Sequence, residues 1–353
     1  MRVALLLIAS AGAFVAPSSR LAHTPTRRAA TTDFRELLDR YDGFLLDQFG
    51  VVHDGKACYA GSAEAARELQ KLGKRVAILS NSSKRKQDTI TRFSALTGCA
   101  CTLLESADVV PGVPLFSAFT SGDLVHDALR DLQAPEPRPS SVELFQGLVR
   151  PGANRVVVLG NGDDDGDYVK AAGLIAAPVD DADFLLARGL FAVVDGPEST
   201  PLAFDGADAC DALLAAAAAR DLPMVVANPD LVRPDGAASP MPGVVAARYA
   251  EKFGGRCALV GKPHAAIYER ALGALERAGV DRARVAAVGD SMHHDVAGAA
   301  AAGVDSVLVA GGVHAAELGV AQGAHEPVDA DRLAAFLADF DAQPTHVVPG
   351  FTL

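Results

Sequence analysis

The sequence predicts an α/β fold with a parallel sheet covered on both faces. Three observations carry that reading. Short aliphatic and β-branched runs recur at 75–80, 155–159, 191–194, 224–227, 257–260, 285–288 and 306–309. They are continuous rather than alternating, as in strands buried on both sides. Between them lie Ala-rich stretches with helical spacing, such as Ala65, Ala66, Leu69 and Leu72 in 61–72, where Ser62 is the expected N-cap. Third, the stretch DGFLLDQFGVVHDG at 42–55 brings Asp47 from an apolar run into a turn at Gly50. A carboxylate at the end of a buried strand sits where open α/β sheets bind ligands. An ordinary turn-capping Asp would look the same on this stretch alone.

A chain of 353 residues suits two packed units with separate cores. Half of it is hydrophobic and 22% is charged, which excludes a disordered chain. The formal charge is −12, and it becomes −16 without residues 1–32, which hold four Arg and no acid. So acidic a surface argues against nucleic acid as a partner. The five Cys (58, 99, 101, 210 and 257) form no CxxC pair, and no His cluster has zinc spacing. Their odd, scattered set points to a reducing compartment.

The first 13 residues, MRVALLLIASAGA, have the basic start, short apolar run and small residues of a signal peptide. The run is too short for a comfortable membrane span, so none is expected in the mature protein. From Phe14 to residue 32 the chain is rich in Ser, Thr, Arg and Ala, a transit-peptide composition. The junction ASAGA-FVAP resembles the bipartite plastid presequence of algae with secondary plastids, in which a Phe follows the cleavage site. That resemblance implies a plastid location; a secreted or cytoplasmic protein is the alternative.

Within the body, residues 133–142 are Pro- and Ser-rich and read as a surface loop. Residues 343–353 show no periodicity and read as a loose tail. The run of acids at 163–167 fails as a calcium loop. With Asn161 as position one, position twelve is Ala172, where a bidentate Glu is required. A solvated turn and helix N-terminus is the expectation there.

Three further stretches carry chemistry. In LSNSSKRK (79–86), Ser80 and Asn81 end a strand, where hydroxyl, amide and backbone N–H groups can hold phosphate oxygens. In VGKPH (260–264), Lys262 follows a strand and Pro263 is expected in the first turn of a helix. In VGDSMHHDVAGA (288–299), Asp290 ends a strand and Asp295 lies five residues on, a pair suited to Mg²⁺.

In order, Asp47, Ser80, Lys262 and the Asp290/Asp295 pair resemble the four motifs of the haloacid dehalogenase-like hydrolases, over residues 34–340. The spacing is 33 residues from Asp47 to Ser80, 182 to Lys262 and 28 to Asp290. The long second gap resembles the insert of the class II cap. SNSS at 80–83 and NPD at 228–230 are similar to subclass IIA, the relatives of p-nitrophenyl and pyridoxal phosphatases. DQFGVVHDG resembles a branch with an aromatic residue two after the nucleophile. The resemblance implies a doubly wound, Rossmann-like core in two segments, 33–85 and 256–342, with an α/β cap at 86–255. It further implies a Mg²⁺-dependent phosphatase acting on a small phosphorylated metabolite, and, by analogy, a homodimer through the cap. Asp47 would be the nucleophile that forms an aspartyl-phosphate. Ser80, Asn81 and Lys262 would hold the phosphoryl group. Asp47, the backbone carbonyl of Phe49 and Asp290 would hold the metal, with Asp295 steadying the ligands.

Phe49 departs from that pattern, because the family's phosphatases carry a second Asp there as general acid–base. Phe cannot exchange a proton. His53 and Asp54, just beyond the turn, are candidates to replace it or ordinary turn residues. A phosphometabolite-binding protein without turnover, or a phosphotransferase, is therefore the alternative function. The leader yields its own test: residues 1–32 fused to a fluorescent reporter should direct it to the plastid of a secondary-plastid alga, dependent on Phe14. A reporter left in the cytosol or secreted refutes the plastid location.

Overall fold

Two sheets organise the chain. The structure is a computed structural model that describes residues 32–103, 110–112, 114–202, 206–231 and 241–353. The expected targeting segment at 1–32, Phe14 included, lies outside them apart from Thr32. The described strands are β1 (Gly43–Leu46), β2 (Arg75–Ser80), β3 (Phe116–Thr120), β4 (Arg155–Gly160), β5 (Ile175–Ala176), β6 (Phe184–Ala187) and β7 (Ala192–Val194). They continue with β8 (Ser199–Pro201), β9 (Met224–Val226), β10 (Cys257–Leu259), β11 (Val285–Gly289), β12 (Asp305–Val309) and β13 (His346–Val348).

The first sheet has the order β13-β12-β11-β1-β2-β3 and is parallel throughout. From β1 the chain winds outward one way through β2 and β3, then returns to wind the other way through β11, β12 and β13. That reversal makes the end of β1 the topological switch point. Successive residues of these strands feed opposite cores. Phe44, Leu46, Val76 and Ile78 pack with Ala65, Leu69 and Phe93 of the helices Ser62–Lys71 and Lys86–Thr97. Leu45, Ala77, Leu79 and Ala287 pack on the other side with Ile267, Tyr268, Leu272 and Leu275 of the helix Ala265–Arg277. Both faces are dry, which is why the strands read as continuous apolar runs.

The second sheet runs β10-β9-β6-β4-β7-β8, with β5 beside β4. It is parallel except for β7 and β8, which are antiparallel to their neighbours. This is the inserted α/β unit, but its limits differ from 86–255. Strand β3 and the helix Lys86–Thr97 belong to the first sheet's layers, so the crossover comes at Ser121. At the other end β10 pairs with β9, so the return comes after Leu259 rather than at 256. The sequence FSAFT of β3 alternates small and polar residues with Phe and gives no aliphatic run to mark it.

The tail is also unlike its expectation. Strand β13 extends the first sheet beside β12, and Phe351 is 1% exposed, edge-on to Phe34 with ring centroids 5.0 Å apart. A three-residue edge strand is too short for periodicity to reveal. At 61–72, Gly61 is the N-cap, with φ of +74°, and the Ser62 hydroxyl donates instead to the carbonyls of Val52 and Tyr59. Pro263 precedes its helix, whose N-cap is His264. The helix Pro139–Leu144 begins inside the stretch expected to be loop. Among the described residues no helix is long and apolar enough to cross a membrane. Phe351→Ala should cost about 3–5 kcal/mol of stability, the range for a core Phe. Denaturant unfolding checks this, and an unchanged midpoint would return the tail to a loose segment.

Candidate active site

Strand register brings the motifs together. Leu46 of β1 stands opposite Ile78 of β2 and Val288 of β11. Asp47 is therefore level with Leu79 and Gly289, and Ser80 and Asp290 lie one residue further along. The Asp47 N–H donates to the Val288 carbonyl at 2.9 Å, carrying the ladder one step past the strand. Lys262 arrives from the second sheet, three residues after β10.

The centre is an ammonium between carboxylates. Lys262 Nζ is 3.0 Å from Asp47 Oδ1 and 2.8 Å from Asp295 Oδ1, and Lys262 is 4% exposed. Asp47 Oδ1 also accepts the Gln48 N–H at 2.8 Å. Asp295 Oδ2 accepts the Ser291 N–H at 3.0 Å, and Asp290 Oδ2 accepts the Val313 N–H at 2.7 Å. Two glycines permit the close approach. A Cβ on Gly289 would fall 2.1 Å from Asp295 Cγ, and one on Gly50, whose φ is +76°, 1.8 Å from Asp290 Oδ2.

Burial sets the electrostatics. It raises the Asp47 carboxyl to about 7, against the pull of Lys262 and with a further push from Asp295. Asp290 is held well above the usual carboxylate range, first by burial and then by Asp47 and Asp295. Burial alone would lower Lys262, but Asp295 and Asp47 hold its ammonium well above the ordinary value.

Asp47, Asp290 and Asp295 offer carboxylate oxygens that lie within 4.8 Å of one another. One ammonium cannot balance three buried carboxylates. The Phe49 carbonyl accepts no hydrogen bond among the described residues. Hard oxygen donors, surplus negative charge and an unused carbonyl fit a divalent cation held by Asp47, Asp290 and Phe49. Asp295 is committed to Lys262 and Ser291, which suits a supporting place.

Asn81, His53 and Asp54 are each engaged within the protein. The Asn81 amide is spent inside the protein: Nδ2 donates to Asp230 Oδ1 at 2.8 Å and to the Lys262 carbonyl at 3.2 Å, while Oδ1 accepts the Lys262 N–H at 2.7 Å. Both side-chain N–H donors are used within the protein, so this side chain grips the Lys262 backbone. Asp230, from the NPD stretch, is held in turn by its own N–H to Asn228 Oδ1 at 3.0 Å. Phe49 lies edge-on to His53, with centroids 4.8 Å apart. His53 is fully buried, and its Nδ1 accepts the Gly55 N–H at 3.0 Å. Burial lowers it to about 4, so it is neutral at pH 7. Asp54 Oδ1 caps the turn through the N–H groups of Lys56 and Ala57. Neither replaces the missing acid.

Two further buried residues, Gln48 and Arg188, stand at the site without a mark in the sequence motifs. Gln48 is 2% exposed and its Nε2 donates to Ser80 Oγ at 2.9 Å. Arg188, whose side chain is wholly buried, pairs with Asp165 at 2.6 Å and Asp164 at 2.9 Å, and reaches the Ser83 carbonyl at 3.3 Å. Asp165 is thus a buried ion-pair partner and not a solvated turn residue. The pattern of acids at 163–167 held half of that signal; the Arg has no local mark.

Comparison with known proteins agrees with this geometry. The family model described as haloacid dehalogenase-like hydrolase matches residues 44–175. Two more from the same group match 207–303 and 259–352. The chain belongs to the haloacid dehalogenase-like hydrolases. Among solved structures it is similar to a haloacid dehalogenase-like hydrolase from Brucella suis, at 25% identity and a TM-score of 0.64, covering 90% of this chain and 97% of that one. It shares the fold of p-nitrophenyl phosphatase from Archaeoglobus fulgidus, at 20% identity, 88% and 97% coverage and a TM-score of 0.57. It also shares that of a glycerol phosphate phosphatase from Mycobacterium tuberculosis in complex with calcium, at 19% identity, 89% and 73% coverage and a TM-score of 0.56. No curated protein matches the sequence.

Asp290→Asn keeps an oxygen for the Val313 N–H but removes a charge. Calorimetric titration with a divalent cation should show at least roughly tenfold weaker binding than the parent, with the fold intact. Equal affinities would show that Asp290 is no ligand.

Proposed function

We propose that the protein is a Mg²⁺-dependent phosphatase acting on a small phosphorylated metabolite through an aspartyl-phosphate on Asp47. The observation that carries this is the buried Lys262 ammonium against Asp47 Oδ1 at 3.0 Å, at the ends of strands that also deliver Ser80 and Asp290. Asp47 attacks phosphorus in line, a bond forms from its carboxylate oxygen, and the ester oxygen leaves with the bonding pair. Lys262 opposes the rise that burial imposes on the Asp47 carboxyl and offsets charge on the phosphoryl oxygens. Ser80 donates to one of those oxygens. A bound Mg²⁺ supplies the further positive charge that lets an anionic nucleophile meet an anionic ester.

The proton is the weak point of this catalyst. Phe49 stands where a carboxyl would protonate the leaving oxygen, and neither His53 nor Asp54 is placed to do so. A positioned acid–base is worth roughly 10²–10⁴-fold. The reading therefore favours esters with good leaving groups. The same residue supports a second reading, a phosphometabolite-binding protein that does not turn over. Slowed hydrolysis of the aspartyl-phosphate would also favour transfer to an acceptor other than water.

Substrate pairs of differing leaving group separate these readings. The protein should hydrolyse p-nitrophenyl phosphate, act far more slowly on alkyl phosphates, and lose both activities in Asp47→Asn. Phe49→Asp should raise the alkyl rate about tenfold or more relative to the aryl rate. Some stability should be lost as a charge replaces a half-buried ring. Equal alkyl and aryl rates in the parent would show that another group supplies the proton. Phosphate-ester binding without turnover in the parent would establish the binding protein.

A further inference from the structure

We propose that Gln48 is a positioning residue that fixes the Ser80 hydroxyl as a hydrogen-bond donor to the phosphoryl group. This rests on the reading of Ser80 as a phosphate ligand. Gln48 Nε2 donates to Ser80 Oγ at 2.9 Å, and the Ser82 N–H donates to the same oxygen at 3.2 Å. A hydroxyl has two lone pairs and one proton. Both lone pairs are taken, and no group among the described residues accepts the proton. The two donors therefore turn the O–H away from themselves and leave it for an incoming acceptor.

Gln48 is itself held firmly. Its N–H is on Asp47 Oδ1 at 2.8 Å, and its carbonyl accepts the N–H groups of Val52 at 2.8 Å and His53 at 3.1 Å. It is 2% exposed, so water does not compete for its amide. The turn that presents Asp47 thus also presents the amide, and the nucleophile and the Ser80 hydroxyl are set by one rigid segment.

Phosphoryl oxygens only accept hydrogen bonds. A Ser80 hydroxyl without the Gln48 donor is free to rotate, and part of its population would point its proton at carboxylates nearby. An aliphatic residue at 48 removes the constraint without adding charge. Had the amide been reversed, with Oε1 toward Ser80, the hydroxyl would donate to Gln48 and be withdrawn from phosphate. The two arrangements predict opposite signs for the same substitution.

The test measures the affinity of inorganic phosphate by calorimetry at a fixed Mg²⁺ concentration. The proteins are the parent, Ser80→Ala, Gln48→Leu and the double variant, with Gln48→Met as a second apolar replacement should Gln48→Leu unfold. Gln48→Leu should bind phosphate about three- to tenfold more weakly, the scale of one hydrogen bond. In the Ser80→Ala background it should cost nothing further, since the amide acts only through that hydroxyl. The KM for p-nitrophenyl phosphate should rise in parallel. Equal or tighter phosphate binding by Gln48→Leu overturns the proposal, and so does a full additional loss in the double variant. Unchanged binding in Ser80→Ala alone would instead refute the phosphate role of Ser80, a distinct failure of the reading beneath.

Discussion

The site depends on one buried ammonium. Lys262 joins Asp47 to Asp295, carboxylates 248 residues apart in the chain. Taking such charges out of water costs several kcal/mol per ion, repaid only when geometry and hydrogen bonding are good. Here the backbone of Lys262 is fixed as well, because Asn81 grips both its N–H and its carbonyl. The grip comes from the end of β2, while the lysine arrives from the second sheet. One amide therefore ties the phosphate-side strand to the return crossover. Two of the three carboxylates are paired with Lys262; among the described residues Asp290 has only the Val313 N–H. Burial, then Asp47 and Asp295, hold the Asp290 carboxyl well above the usual carboxylate range, and the surplus negative charge fits a further cation.

Much of this was legible in the sequence because it is local. A strand that ends in a polar residue is written within six or seven positions, so Asp47, Ser80 and Asp290 could each be placed at a strand end. A parallel sheet then aligns such ends at one edge without any further instruction. What stayed hidden depends on partners far away in the chain. The Asn81 amide is a phosphate ligand or a clamp according to whether Asp230, 149 residues on, lies beside it. Gln48 is an undistinguished residue until Ser80 is found 2.9 Å from its amide. Phe351 looks loose because its partner, Phe34, is at the other end of the body. Strand β3 was lost to composition: it gives one Phe to each face of the sheet, Phe116 to one core and Phe119 to the other, with small and polar residues between and no aliphatic run.

The absence of a carboxyl at Phe49 has a structural counterpart. The Phe49 ring packs edge-on to a histidine made neutral by burial, and a Cβ at Gly55 would fall 3.0 Å from that ring. The turn from Asp47 to Cys58 is thus closed by ring packing where a polar residue would need water or a partner. Its backbone still serves the site: among the described residues the Phe49 carbonyl accepts no hydrogen bond, and Gly50 admits Asp290. Binding and proton transfer are separable here, since the first uses backbone and Asp290 while the second needed a side chain.

Besides the Asn81–Asp230 and Lys262 contacts, a second joint links the second sheet to the site. Arg188 lies with its guanidinium carbon 3.6 Å from the centre of the Tyr168 ring, paired with Asp164 and Asp165, and its Nη2 meets the Ser83 carbonyl. Asn161 Nδ2 reaches Ser83 Oγ at 3.3 Å, and Lys84 pairs with Asp163 at 2.6 Å. The exposed Lys84 pair is worth little by itself. The buried Arg188 is different, because separating it from its acids would strand a charge in the interior at a cost of about 3–5 kcal/mol. The acids and the arginine all belong to the inserted unit, so its loop is rigid in itself. Ser83, which it touches, is three residues from Ser80. A shift of the inserted unit against the first sheet must therefore either break the Ser83 contacts or carry along the loop that follows the Ser80 hydroxyl.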